Sequence, residues 1–230
     1  MERRAGKLYV RIVVDALMAV VFVFVMSTAL VQEAPHEFLG IALFALAIVH
    51  VVLNRRWFTV LARGRWTALR ALQVVAVVGL LLCLIGQVAS SVVLSKHAFS
   101  FLPAIPGAAW ARRVHMLCSY WGFVFAFAHA GLQFKSVLSW VCSGPRGTRN
   151  SSAVWIARAV FAIAACCGVY SFIRLDLLAY LTGQVQFAYA DFSVPLALTF
   201  AQYAAVAALI AGAFHYLRKL IIGKRKDENG

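Results

Sequence analysis

The sequence predicts an all-α integral membrane protein, built as a bundle of six transmembrane helices. Of its 230 residues, 63% are hydrophobic and 13% are charged, whereas a water-soluble domain has about half and about a quarter. The mean hydropathy is +0.84. Six apolar stretches of roughly 20 residues are each long enough to cross a hydrocarbon core of about 30 Å. With no soluble domain apparent beside them, residues 1–230 are predicted to form a single membrane domain.

The first predicted span, residues 12–31, follows a basic N-terminus of the kind found in signal peptides. Its apolar run exceeds the roughly 7–15 residues usual for a signal peptide, and no clear cleavage site ends it. We therefore interpret it as a retained helix; a cleaved signal, the alternative, would leave five spans. The other spans lie at residues 37–54, 71–94, 114–134, 153–173 and 195–217, separated by short polar or Gly/Pro-containing breaks. Residues 175–194 are predicted to lie along the membrane interface.

The positive charge of the chain, a formal +14, is distributed unevenly between its loops. With the N-terminus in the cytosol, 18 of the 22 Lys and Arg residues fall on the cytosolic side, and the exceptions are Lys96, Arg112, Arg113 and Arg174. The positive-inside rule describes this asymmetry and places both termini in the cytosol. The charge therefore sets the topology and contacts anionic lipid headgroups, so nucleic-acid binding is not needed to explain it.

Two histidine pairs share one spacing in the second and fourth predicted spans. His36 and His50 are 14 positions apart, and so are His115 and His129. In an α-helix, 14 residues come within about 40° of four full turns, so both histidines of a pair lie on one face, roughly 21 Å apart along the axis. One histidine of each pair is thus expected near each membrane surface.

The second and fourth spans run in the same direction, from outside to inside, because a single span separates them. His36 is therefore expected level with His115 near the outer face, and His50 level with His129 near the inner face. Two imidazoles that face each other across a helix bundle can occupy both axial positions of a haem iron. The sequence thus predicts two b-type haems, one outer and one inner, held between spans two and four with these four histidines as iron ligands.

Four further residues are predicted to line the haem sites. Gly40 and Gly122 lie on the histidine-bearing helices and would leave room for the porphyrin planes. Arg113 near the outer face and Arg56 near the inner face would pair with anionic haem propionates, although each also has a plain topological role.

Other interpretations of the polar residues remain open. Histidines inside a membrane also hydrogen-bond between helices or line a proton path. A structural zinc site would gather four ligands at one depth, which this spacing does not provide. The absence of a C-x-x-C-H motif excludes covalent c-type haem attachment. Glu37, beside His36, is interpreted either as a proton relay at an outer quinone site or as a carboxylate favoured by the helix N-terminus.

Two segments resemble the paired-histidine helices of the flavinylation-associated cytochromes, which are small bacterial diheme b-type membrane cytochromes. They read "HEFLGIALFALAIVHVVLNRRWF" and "RRVHMLCSYWGFVFAFAHAGLQF", and the ending "AGAFHYLRKL" is similar as well. The ligand positions of that family match His36, His50, His115 and His129. The resemblance implies a multi-pass protein of the bacterial cytoplasmic membrane that transfers electrons, commonly from quinol to an extracytosolic flavoprotein.

The function predicted is transmembrane electron transfer between membrane quinone or quinol and a redox partner. The chain carries no nucleotide-binding or hydrolytic motif, so it is interpreted as an electron-transfer subunit to which no catalytic residue is assigned. The alternative is a transporter or membrane anchor whose histidines serve proton relay or helix packing. The spans contain few acidic residues and the sequence shows no inverted repeat, and both observations argue against a transporter. A haem-handling protein with a labile site is a third possibility.

Overall fold

A computed structural model describes residues 2–27, 33–61, 66–103, 105–133, 151–185, 187 and 193–227. These residues form eight α-helices and contain no strand. In chain order the helices are α1 (Glu2–Met26), α2 (Glu33–Asn54), α3 (Arg56–Leu61), α4 (Ala68–Leu94), α5 (Ala108–Gln133), α6 (Ser151–Arg174), α7 (Leu177–Leu181) and α8 (Leu196–Asp227).

Four of the described helices are long and apolar enough to cross a membrane. The qualifying segments are Leu8–Met26, Glu33–Asn54, Ala68–Leu94 and Ala197–Gly223, in α1, α2, α4 and α8. The all-helical prediction is confirmed for the described residues, and these four helices indicate a multi-pass membrane protein. Helix α5 is long enough, but its arginines and histidines lower its hydropathy. In α6 the described apolar stretch is Ala159–Arg174. The ends of the first and fourth predicted spans, residues 28–31 and 134, lie outside the described residues.

Helix α5 packs against both α4 and α8, and glycines make these contacts close. A side chain at Gly86 of α4 would collide with the thiol of Cys118 on α5. A side chain at Gly131 of α5 would collide with the backbone of α8 at Ala211. Such small positions let helices approach where lipid provides no hydrophobic drive for their association. They fix α5, and with it two of the four predicted ligands, at the centre of the bundle.

Helix α7 packs into the core of the bundle. Asp176 precedes it in a left-handed conformation (φ 46°), which aspartate tolerates better than most residues. Leu177 and Tyr180 are buried, and the Tyr180 ring stacks on that of Tyr120 with centroids 4.3 Å apart. Trp121 donates its indole N–H to the carbonyl of Leu181 at 3.0 Å. One face of α7 therefore packs on α5 and the core, and the interfacial position of residues 175–194 stays a prediction.

Helix α2 packs chiefly on α1, and none of its residues is buried. Arg11 of α1 donates from Nη2 to the carbonyl of Leu53 at 2.6 Å, near the C-terminal end of α2. Near the N-terminal end, the Glu37 carboxylate accepts the Ser95 hydroxyl at 2.7 Å and the backbone N–H groups of residues 96–98. Both ends of α2 are therefore held by neighbouring elements, and His36 and His50 lie close to these two ends.

Candidate functional site

His36 of α2 and His115 of α5 lie side by side. Their ring centroids are 6.2 Å apart, and the ring planes are inclined by 55°. Both side chains are half-buried. The two histidines are 79 positions apart in the chain, with α3 and α4 between them, so only the tertiary fold brings the two imidazoles together.

His50 and His129 repeat this arrangement 14 residues further along the same two helices. Their ring centroids are 6.3 Å apart, with the planes inclined by 81°. Because the first histidine of α2 meets the first of α5, and the second meets the second, the two helices run parallel. An axial rise of about 1.5 Å per residue separates the two pairs by roughly 21 Å. The four predicted ligands thus form two equivalent sites, the His36–His115 pair and the His50–His129 pair.

The His50–His129 pair has a carboxylate beside it. Oδ1 of Asp15, on α1, lies 2.6 Å from Nδ1 of His50. Asn54, one turn further along α2, donates from Nδ2 to the carbonyl of His50 at 2.9 Å. Since Nδ1 faces the carboxylate, Nε2 is the nitrogen of His50 that remains for a ligand.

The His36–His115 pair has neutral partners, all of them on α4. Nδ1 of His115 lies 3.4 Å from the hydroxyl oxygens of both Ser90 and Ser91. The Ser90 hydroxyl donates to the carbonyls of Gly86 and Gln87, so its lone pairs are free to accept from the imidazole N–H. The Gln87 amide lies 3.2 Å from Nδ1 and 3.1 Å from Nε2 of His115. The two sites therefore differ in the hydrogen-bond partners of their imidazoles: His50 has a carboxylate, and His115 has hydroxyls and an amide.

The remaining histidine of each pair carries a buried ring nitrogen without a hydrogen bond. Nδ1 of His36 and Nδ1 of His129 find no hydrogen-bond partner among the described residues. A buried polar nitrogen without a partner costs free energy, typically about 1–3 kcal/mol. A ring nitrogen without a partner in each pair is compatible with a site that binds a further group.

The ring spacing is compatible with two imidazoles sharing one metal ion, and it also lies within the range of about 4.5–7 Å for ordinary packed rings. A metal–imidazole bond is about 2.0–2.1 Å, and a ring nitrogen lies about 1.1 Å from the ring centre, so opposed ligands have centroids about 6.3 Å apart. The observed separations are 6.2 and 6.3 Å. Within the described ranges, no cluster of three or more His, Cys, Asp or Glu suited to a metal ion occurs. Among these residues, each pair offers two histidine donors to a metal ion.

The two predicted glycines differ in their surroundings. A side chain at Gly40, one turn after His36 on α2, would meet nothing within 4 Å. Gly122 of α5 is buried, and a Cβ there would touch Cys83 and Phe22 at ordinary contact distances of 3.5 and 3.8 Å. Gly40 thus borders open space beside a predicted ligand, whereas Gly122 is surrounded by side chains of α4 and α1.

The two predicted cations lie at opposite ends of the histidine-bearing helices. Arg113 is exposed, two residues before His115 near the start of α5. Arg56 is exposed at the start of α3, six residues after His50. Their positions at the two ends leave each of them near the level of one histidine pair.

Sequence reasoning missed the residues that surround the imidazoles. The sequence predicted no role for Asp15, Gln87, Ser90 or Ser91. A signal was present, because an acid inside an apolar helix needs a partner and Gln87-x-x-Ser90-Ser91 is a polar group within an otherwise apolar α4. Which histidine each would meet could not be read from the sequence.

Comparisons with protein-family models, with curated proteins and with solved structures found no match for this chain. The resemblance to the flavinylation-associated cytochromes therefore stays a prediction, and the functional argument depends on the geometry of the two histidine pairs.

Proposed function

We propose that this chain is a membrane cytochrome that carries single electrons through two bis-histidine b haems. His36 and His115 would hold one haem, and His50 and His129 the other. The observation that carries the proposal is the juxtaposition of two imidazole pairs at metal-sharing distance, repeated on two parallel helices.

The residues of this chain define what each site can do. Haem b supplies a reversible one-electron iron couple when it is bound between two imidazoles. Two histidines would hold each haem, and an electron could arrive and leave without a change in these protein ligands. Two protein donors per site suit a porphyrin, which brings four equatorial nitrogens, better than zinc, which takes four protein ligands in structural sites. The open space beside Gly40 supports the same assignment.

The proposed orientation places both termini in the cytosol of a bacterial cell, with the protein in the cytoplasmic membrane. It rests on the distribution of Lys and Arg and on the six-span prediction. The His36–His115 pair then lies near the outer face, beside Arg113, and the His50–His129 pair lies near the inner face, before Arg56. Each arginine is positioned to pair with haem propionates at its own surface. Membrane quinone and an extracytosolic flavoprotein are proposed as redox partners on the strength of the resemblance.

One observation favours a second function, in which the histidines serve helix packing or proton relay in a transporter or anchor. The Gln87 amide contacts both ring nitrogens of His115 and would have to move before Nε2 could bind a metal. The side chain of Gln87 is half-buried and also shares hydrogen bonds with Ser119, which offers it an alternative partner.

Reduced-minus-oxidised visible spectra of the purified protein, with haem quantified per chain, distinguish these functions. Two low-spin b haems per chain are expected. A colourless protein, or one with a single haem per chain, would overturn the proposal. Addition of haem during expression controls for limited cofactor supply.

A further inference from the structure

The hydrogen bond between Asp15 and His50 singles out one of the two histidine sites. Asp15 lies on α1, which carries none of the four predicted ligands, and its carboxylate reaches across to Nδ1 of His50 at 2.6 Å. Of the two side chains, the imidazole is the more enclosed, with 27% of its surface exposed, while Asp15 is 51% exposed. The contact therefore places a solvent-exposed carboxylate against the Nδ1 side of a half-buried imidazole ring.

We propose that Asp15 is a positioning residue that makes the His50–His129 site the more electron-rich of the two, so that a haem bound there has the lower reduction potential. The proposal rests on the proposed function, since it concerns a haem held by that pair. It goes further because it assigns an order to two sites that the histidine spacing alone leaves equivalent.

The carboxylate acts on His50 in two ways. By accepting the Nδ1–H it fixes the tautomer and the ring orientation, with Nε2 directed away from Asp15. By holding that proton strongly it gives the ring part of the character of an imidazolate, which makes it a better electron donor. A more basic axial ligand stabilises the ferric state relative to the ferrous state, and a nearby negative charge does the same.

At the other site, no described carboxylate is hydrogen-bonded to an imidazole. Glu37 follows His36 directly, but its carboxylate accepts the Ser95 hydroxyl and the backbone N–H groups of residues 96–98. The partners of His115 are the hydroxyls of Ser90 and Ser91 and the amide of Gln87, all of them neutral. The serine hydroxyls, as neutral acceptors, hold the Nδ1 proton less strongly than a carboxylate, and the Gln87 amide nitrogen can only donate. The difference between the sites therefore arises from residues on α1 and α4, and both sites keep the same two ligands.

The nearest described cation on α1 does not cancel the carboxylate by direct pairing. Arg11 lies one turn before Asp15, but its Nη2 donates to the carbonyl of Leu53 at 2.6 Å. Among the described residues, the Asp15 carboxylate contacts His50, and no ion pair joins Asp15 to Arg11. The charge of Asp15 thus remains directed at the imidazole.

Redox titration of the haem-loaded protein tests this assignment. In Asp15→Asn, which keeps an acceptor oxygen but loses the charge, the ratio of reduced to oxidised haem at one site should rise about tenfold at a fixed potential. That corresponds to a shift of about 59 mV for a one-electron couple. Asp15→Glu should restore most of the original potential. Asp176→Asn, the same substitution at the start of α7, is the matched control and should change neither potential.

The affected haem is identified in the His36→Ala background, in which only the His50–His129 site can be bis-histidine ligated. The Asp15→Asn shift should persist there. An unchanged potential with both haems retained, or a shift confined to the His36–His115 site, would overturn the inference and leave the proposed function standing. Selective loss of the His50–His129 haem in Asp15→Ala would support the positioning role. Absence of haem from the wild-type protein would overturn the proposed function and the inference together.

Discussion

The carboxylate of Glu37 accepts a hydrogen bond from the hydroxyl of Ser95 at 2.7 Å, across 58 residues of sequence. The same carboxylate accepts the backbone N–H groups of Lys96, His97 and Ala98 at 2.8–3.1 Å. These four donors belong to the segment that follows α4, so Glu37 ties the first turn of α2 to the end of α4. Glu37 immediately follows His36, and the contact therefore also holds one member of the His36–His115 pair in place.

Replacement of Glu37 by alanine should destabilise the protein, because it leaves several N–H groups without acceptors. We expect a loss of about 1–3 kcal/mol in the free energy of unfolding, the range for an unsatisfied group, since water can reach part of this segment. For a chain of this size that amounts to several degrees in the thermal midpoint, measured in detergent. Glu33→Ala is the control: its exposed pair with Lys96 should be worth less than about 1 kcal/mol. Equal effects of the two substitutions would contradict the role given to Glu37.

Single histidine substitutions should remove haems in pairs. His36→Ala and His115→Ala should each abolish the same haem, and His50→Ala and His129→Ala the other, because the rings of each pair lie 6.2–6.3 Å apart. Haem per chain and the spectra of the four variants provide the measurement. His97→Ala, which alters an exposed histidine after α4, should retain both haems. Loss of different haems from His36→Ala and His115→Ala would refute the pairing.

Gly40 offers a test of where a bound planar group would lie. Because nothing lies within 4 Å of a Cβ at this position, Gly40→Phe should leave the helix bundle folded. The bulky ring would occupy the space beside His36, so we expect the haem of the His36–His115 site to be lost or reduced. Circular dichroism and haem quantification separate the two effects. Gly223→Phe, also at an open position but near the end of α8, should have no effect on haem content.

Gly131 should tolerate no side chain. A Cβ there would collide with the carbonyl of Ala211 on α8, which is backbone and cannot rotate away. Gly131→Ala should therefore force α5 and α8 apart and lower the free energy of unfolding by about 1–3 kcal/mol. The thermal midpoint in detergent, compared with that of Gly40→Ala, measures the effect. A Gly131→Ala variant as stable as wild type would show that α5 and α8 pack differently.

The orientation in the membrane can be checked by reporter fusions. A fluorescent protein fused after Gly230 should fold in the cytosol, and alkaline phosphatase fused within residues 98–102 should be active outside, as the charge distribution predicts. If the two reporters gave the opposite result, the inner and outer histidine pairs would exchange places, and the same histidines would still be paired.

The sequence by itself determined which segments are helical and apolar, and which side chains share a helix face. Hydropathy and the 3.6-residue period are properties of a single stretch of chain, so the spacing of His36 and His50 could be interpreted without knowledge of any neighbour. The expectation that each meets a particular histidine on a parallel helix needed only the order of the spans. The count of six spans had weaker support, because the arginines and histidines of α5 lower the hydropathy from which spans are counted.

Only the tertiary structure decided what surrounds those histidines. Asp15 meets His50 across 35 residues, Ser90 and Ser91 meet His115 across 25 and 24, and α7 enters the core through the stacking of Tyr180 on Tyr120. These contacts depend on how the side chains of different helices pack, and on the rotation of each helix about its own axis. Hydropathy encodes neither the packing nor the rotation of the helices. For this reason the histidine spacing predicted two similar sites, whereas the fold surrounds them with different residues.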